Sequence, residues 1–102
     1  MLTHFRTYNL AVQFHHACCS AKMPGYLKSQ LLRASSSIAL NLAEGSGKPT
    51  PKDQLRFYFI ALGSLRESQA ALDLAPIRMP SLIALADHVG ASLYKLCQSI
   101  QS

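Results

Sequence analysis

"RASSSIALNLAEGSGKPTPKDQLRFYFIALGSLRE", residues 33–67, holds two helical runs and the break between them, and its reading decides the fold. In the first run Ala34, Ser35, Ile38 and Leu42 recur at three- and four-residue steps, as one face of a helix does. The run reaches back through Leu31 and Leu27 to a start near Gly25 and stops at Gly45, which is well placed as a C′ glycine. The second run opens on the clearest start signal in the chain. Thr50 is the N-cap, Pro51 suits the first helical position, and Asp53 lies at the positive end of the dipole. Leu55, Tyr58, Phe59, Leu62, Leu65 and Leu72 form its stripe, which ends before Pro76. Phe57, Ile60, Ala61 and Ala71 make other faces apolar too, the pattern of a helix buried on several sides and packed between subunits.

The break itself, Gly45-Ser46-Gly47-Lys48-Pro49-Thr50, imitates the end of a phosphate-binding loop. Such a loop needs a hydroxyl after its Gly-Lys pair to hold magnesium, and backbone N–H groups to face the phosphates. Pro49 stands where the hydroxyl belongs and has no N–H, and Leu42 stands where the first glycine belongs. Nothing upstream alternates as a strand does. The stretch is a helix–helix connection with Lys48 on its exposed turn.

Working outward, Phe5, Tyr8, Val12, His15 and Cys19 mark an earlier helix running to about Lys22, where Met23-Pro24-Gly25 breaks it. After Pro76–Ser81, a last helix carries Leu82, Leu85, Ala86, Val89, Leu93, Leu96 and Ile100 on one face. Gly90 weakens it by about 1 kcal/mol without interrupting the stripe. Short breaks favour antiparallel neighbours. The expectation is an all-α fold, an up-and-down antiparallel four-helix bundle forming a single domain over residues 1–102.

At 102 residues the chain buries roughly two-thirds of its unfolded surface, a thin core that oligomerisation would supplement. Hydrophobic residues make up 49% and charged ones only 15%, which leaves apolar surface to meet another subunit. Ten Lys and Arg against five acidic residues give +5, a balance that favours an anionic partner such as nucleic acid or a membrane surface without choosing between them. Cys18, Cys19 and Cys97 make no disulfide framework and suit a reducing, cytoplasmic setting. Gln13, His15 and His16 interrupt what would otherwise be a signal-peptide core after Arg6, and no apolar run is long enough to span a membrane.

Arg33, Ser37-Ile38, Asn41-Leu42-Ala43-Glu44-Gly45 and, after a short basic connection, Ala61-Leu62-Gly63-Ser64-Leu65-Arg66-Glu67 form two separated motifs in order. In these the chain resembles the bacterial four-helix-bundle family of 23S rRNA intervening-sequence proteins, which includes the accessory variability determinant of diversity-generating retroelements. The strong match covers about a third of the chain, and the helix order agrees over the rest. The resemblance implies a homo-oligomer, typically a pentamer, with no catalytic activity and no cofactor. For the retroelement members it implies binding of nucleic acid and of a reverse transcriptase through a basic surface. The chain departs from the family pattern in having no Trp in the first helix, where it offers Phe14, and in its short, weakly charged last segment.

Several side chains invite a role. Asn41, Glu44 and Gly45, with Ser64 and Glu67, are expected to form a structural polar network across the connection, with Gly63 and Ser64 letting two helices approach closely. Glu44 and Glu67 as a catalytic acid–base pair lack a substrate pocket. Lys28, Arg33, Lys48, Lys52, Arg56 and Arg66 are the candidate nucleic-acid contacts, and symmetry in an oligomer would repeat them into a belt suited to phosphates. In Arg56-Phe57-Tyr58-Phe59 the rings of Tyr58 and Phe59 fit the core and Phe57 a neighbouring subunit. His15, His16 and Cys19 offer soft ligands at helical spacing but not a complete zinc set. Ser35, Ser36 and Ser37 lack the elbow and base of a nucleophile and suit close helix packing. The function expected is non-enzymatic: an oligomeric nucleic-acid-binding or ribonucleoprotein accessory protein. The alternative is a structural protein-interaction module, for example a reverse-transcriptase partner.

Overall fold

Prolines and caps set the ends of most helices in the computed structural model, which describes residue 2 and residues 5–101. The elements are α1 (Arg6–Cys18), α2 (Gly25–Ser46), α3 (Pro51–Leu74) and α4 (Pro80–Gln101). Thr50 caps α3 by accepting the Asp53 N–H at 3.2 Å, and Pro51 follows at the first position. That helix ends because Pro76 forces Ala75 into extended backbone. Pro80 starts α4. Among the described residues there is no strand, and no helix is long and apolar enough to cross a membrane.

Two boundaries differ from the sequence reading. α1 ends at Cys18 rather than near Lys22, because the chain tightens into i→i+3 bonds, Ser20 to Ala17 and Ala21 to Cys18. Lys28 Nζ reaches back from α2 to donate to the carbonyls of Cys19 (3.0 Å) and Ala21 (2.6 Å), satisfying acceptors that the helix end leaves open. Gly45 is not a C′ glycine. α2 runs through it to Ser46, and Gly47, in right-handed backbone, is the C-cap.

Pairings run in opposite directions along every pair of neighbours. His15 meets Ser35, Ser37 meets Ser64 and Arg33 meets Glu67; Gln69 meets Asp87, and Thr7 meets Ser92. Each helix packs on its chain neighbours and α4 closes on α1, giving an up-and-down antiparallel four-helix bundle of 41 × 22 × 19 Å.

Phe14, Leu31, Ile38, Leu42, Leu65, Val89 and Leu93 are its largest fully buried apolar side chains. The stripes expected on α2 and α4 face this core. That on α1 is displaced by one residue: Thr7, Ala11, Phe14 and Cys18 are buried, whereas Phe5, Tyr8, Val12 and His15 sit at the margin and Cys19 is exposed. Buried Thr7 is satisfied by Ser92, 2.7 Å between hydroxyls, so a polar residue serves on the inner face. On α3 the buried face is built largely from small residues, Ala61, Ser64, Ser68 and Ala71, with Tyr58, Leu65 and Leu72. Phe59, expected in the core, is 46% exposed.

Candidate nucleic-acid interface

Gly45 explains how closely the two central helices lie. A Cβ there would fall 2.6 Å from Cε1 of Tyr58 and 3.1 Å from the Phe57 Cβ, so only glycine admits the Tyr58 ring against the backbone of α2. This close packing brings the end of α2 and the start of α3 together and fixes the turn at 47–50. Gln54 Nε2 adds a bond to the Lys48 carbonyl at 3.2 Å.

Three cationic side chains gather on that turn. Lys48 Nζ lies 5.0 Å from the centroid of the Phe57 ring and the Arg56 guanidinium 4.7 Å from it, both within cation–π range. Lys52 is exposed one helical turn before Arg56. Phe57 is therefore half-buried beneath two cations, with its ring already engaged. Lys48 also pairs with Glu44 across one turn of chain, at 3.1 Å.

The other candidate cations are placed differently. Lys28 is tied to the end of α1. Arg33 bridges the α2–α3 seam to Glu67 at 2.7 Å, with both side chains more than half exposed, and also donates to Gln30. Arg66 is exposed farther along α3. The fold thus brings Lys48, Lys52 and Arg56 together and leaves Lys28, Arg33 and Arg66 outside that group.

Of the polar motif residues, Asn41 and Ser64 are joined, but through Ser37. Its hydroxyl lies 2.7 Å from that of Ser64, and Asn41 donates to Ser37 Oγ at 3.0 Å and to its carbonyl at 2.9 Å. Ser68 continues the chain by donating to the Ser64 carbonyl at 3.0 Å. Glu44 and Glu67 do not join this network; each is taken up in an exposed ion pair, with Lys48 and Arg33 respectively. Gly63 does not mediate close approach within the chain either, since a Cβ there would meet nothing within 4 Å.

His15 turns inward, its Nδ1 2.7 Å from Ser35 Oγ, while His16 and Cys19 face solvent. No group of three or more His, Cys, Asp or Glu able to hold a metal forms among the described residues. Ser35 and the neighbouring Cys18 are fully buried, so no substrate reaches that hydroxyl unless α1 and α2 part. Burial pushes the Cys18 thiol up to about 12, against a partial lowering from the Ser35 hydrogen bond.

An exposed apolar set lies on the outer side of the α2–α3 hairpin: Leu40 on α2 (68% exposed), with Phe59 and Ile60 on α3 beside the bare Gly63. A family model described as 23S rRNA-intervening sequence protein matches residues 4–102. No curated protein matches the chain.

Proposed function

The chain belongs to the 23S rRNA-intervening sequence protein family, and from that premise we propose that it is a non-enzymatic, oligomeric accessory protein that binds a nucleic-acid backbone. The observation that carries this reading is the α2–α3 turn, where Lys48 and Arg56 are held against one Phe57 ring with Lys52 beside them. Holding the cations on a ring reduces the side-chain entropy lost when a phosphate arrives. Cations arranged in this way read phosphate and not sequence, so RNA and DNA of any sequence should bind with similar strength. Self-association into a ring, the family-typical pentamer, would repeat the turn around an axis and convert a modest charge into a belt. Three free cysteines are in keeping with a cytoplasmic protein.

The test is an RNA and a DNA titration across salt with the Lys52→Ala/Arg56→Ala variant beside the wild type. The variant should bind more weakly and show a log–log salt slope shallower by about 0.7 for each single-strand phosphate it no longer neutralises. Absence of binding at low salt by oligomeric wild-type protein refutes the reading.

A second reading, a protein-interaction module with incidental charge, is favoured by Leu40, Ile60 and Gly63 on the outer hairpin face. A mid-helix glycine that meets nothing in its own chain costs about 1 kcal/mol relative to alanine. A close-packed neighbour would account for it. A second copy of the chain fits the main reading, and a different protein, such as a reverse transcriptase, fits this one. Light scattering of the purified protein separates them: a monomer at micromolar concentration would favour the foreign partner.

A further inference from the structure

A second cationic site lies away from the motifs, where the first and last helices meet. Arg6 and Leu10 from α1 and His88, Ala91, Ser92 and Lys95 from α4 line an open groove of about 400 Å³. His88, Ala91, Ser92 and Lys95 follow helical spacing along one face of α4, and the Thr7–Ser92 hydrogen bond clamps the two helices beside it. Among the described residues no carboxylate lines the groove. The nearest in sequence, Asp87, faces the α3 side of α4, where it accepts from Gln69 Nε2 at 3.4 Å. Neither ion pair formed among the described residues uses Arg6 or Lys95. Arg6 is also the first residue of α1, whose first turn holds no acidic residue, so the positive pole of the helix adds to the same potential.

We propose that this groove seats a phosphodiester backbone, with Arg6 and Lys95 gripping one phosphate and His88 meeting another. The proposal rests on the nucleic-acid reading above and extends it to a surface that reading does not include. Lys95 and His88 are seven residues apart, about 10 Å along the helix. The groove between them is lined by Leu10 and Ala91. Two cations at one end of a short apolar floor and an imidazole at the other suit a chain of phosphates joined by sugars better than one isolated anion.

The topology supports the same choice. In an up-and-down bundle, α1 begins at the end where α2 stops and α3 starts. Phe5 marks this by meeting Tyr58 in a tilted ring pair, with centroids 6.2 Å apart. The Arg6–Lys95 end of the groove and the Lys48–Lys52–Arg56 turn therefore lie toward the same end of the bundle, on its α1–α4 and α2–α3 sides.

The test compares the wild type with Arg6→Ala/Lys95→Ala and with the charge-keeping Arg6→Lys/Lys95→Arg, both side chains being exposed and outside the ion pairs. Anisotropy of a labelled oligouridine is followed across salt, and inorganic phosphate is titrated against amide NMR shifts. The alanine variant should lower the magnitude of the salt slope by about 1.4, two cations at about 0.7 each, while the charge-keeping variant retains it. Phosphate should shift the amides of Arg6, Ser92 and Lys95 in the wild type and not in the alanine variant. An unchanged slope in a variant with wild-type circular dichroism overturns the proposal, as does equal displacement of the RNA by an acidic peptide. Phosphate shifts without a slope change make the groove a free-phosphate site and overturn the backbone assignment. If Lys52→Ala/Arg56→Ala alone changes the slope, the groove falls and the nucleic-acid reading stands; if the wild type binds no RNA, both fall.

Discussion

Replacing two glycines by alanine, one at a time, tests the packing described for the central hairpin. Gly45 and Gly63 both lie inside long helices, so the intrinsic effect of the change is the same, a gain of about 1 kcal/mol in helix propensity. Their surroundings differ. At Gly45 the new Cβ falls 2.6 Å from Tyr58 Cε1, about 0.8 Å short of the distance at which ordinary contact begins. The ring cannot swing clear: Tyr58 is 4% exposed and backed by Phe5. Overpacking of this kind costs about 1–3 kcal/mol. Gly45→Ala should therefore lose up to about 2 kcal/mol net, whereas Gly63→Ala, whose Cβ meets nothing, should gain about 1 kcal/mol within the subunit. For a domain of this size the two melting temperatures should differ by on the order of 10 °C. Gly90→Ala belongs between them, because its Cβ meets only the end of the Leu65 side chain, at 3.1 Å. Urea and thermal unfolding followed by circular dichroism at one fixed protein concentration give the order, since assembly would make stability depend on concentration. A Gly45→Ala protein as stable as Gly63→Ala would refute the close approach of α2 and α3.

Four further outcomes concern the thiols and polar pairs. Alkylation of the folded protein near pH 8 should label exposed Cys19 while buried Cys18 and Cys97 react only after unfolding; mass spectrometry reads the difference. Burial raises the thiols of Cys18 and Cys97 and the Tyr58 phenol, so the unfolded chain ionises first: the stability they contribute is intact below about pH 9 and is lost as pH climbs toward about 12. A denaturation series against pH that stays flat above pH 10 would contradict their burial. Asn41→Ala removes both bonds to Ser37 and should cost about 1 kcal/mol in urea unfolding, with the Ser37–Ser64 bond surviving. A double-mutant cycle on Arg33 and Glu67 should return only about 0.2–1 kcal/mol, because both side chains are exposed and screened.

Much of this fold was legible because its helix breaks carry strong local chemistry. Thr50-Pro51 and Ala75-Pro76 act through one residue's backbone and hold wherever they occur, and the apolar stripes of α2 and α4 are unbroken. The α1 face was misread for a physical reason: at 3.6 residues per turn two adjacent stripes both look periodic, and Phe5, Tyr8 and Val12 outweigh Thr7, Ala11 and Phe14 in bulk. Only the distant partner Ser92 makes Thr7 an inward residue. Gly45 was misplaced likewise, since its reason for being glycine is the ring of Tyr58, on the next helix. Local spacing found the Lys48–Lys52–Arg56 group, but nothing local could assign Arg33 to Glu67, or place Arg6 and Lys95 on one groove.

The surfaces proposed for self-association and for phosphate adjoin where Ile60 follows Arg56 by one turn, but the positions that test them, Gly63 for one and Lys52 with Arg56 for the other, lie apart. Gly63 stands seven residues after Arg56, about 10 Å farther along α3 from the cationic turn. Leu40 lies on α2 eight residues before Lys48 of the turn. An alanine at Gly63 thus reaches no cation, and removing Lys52 and Arg56 leaves the apolar set intact. If a second copy covers the outer hairpin face, Gly63→Ala should make the subunit more stable and the assembly weaker in the same preparation, an opposition that a surface facing only water would not produce. RNA affinity should then fall because the belt is no longer repeated, with the slope per subunit unchanged. Lys52→Ala/Arg56→Ala should do the reverse, keeping the assembled mass while flattening the salt dependence. Loss of both properties in either variant would mean that one surface serves both ends, which the spacing along α3 argues against.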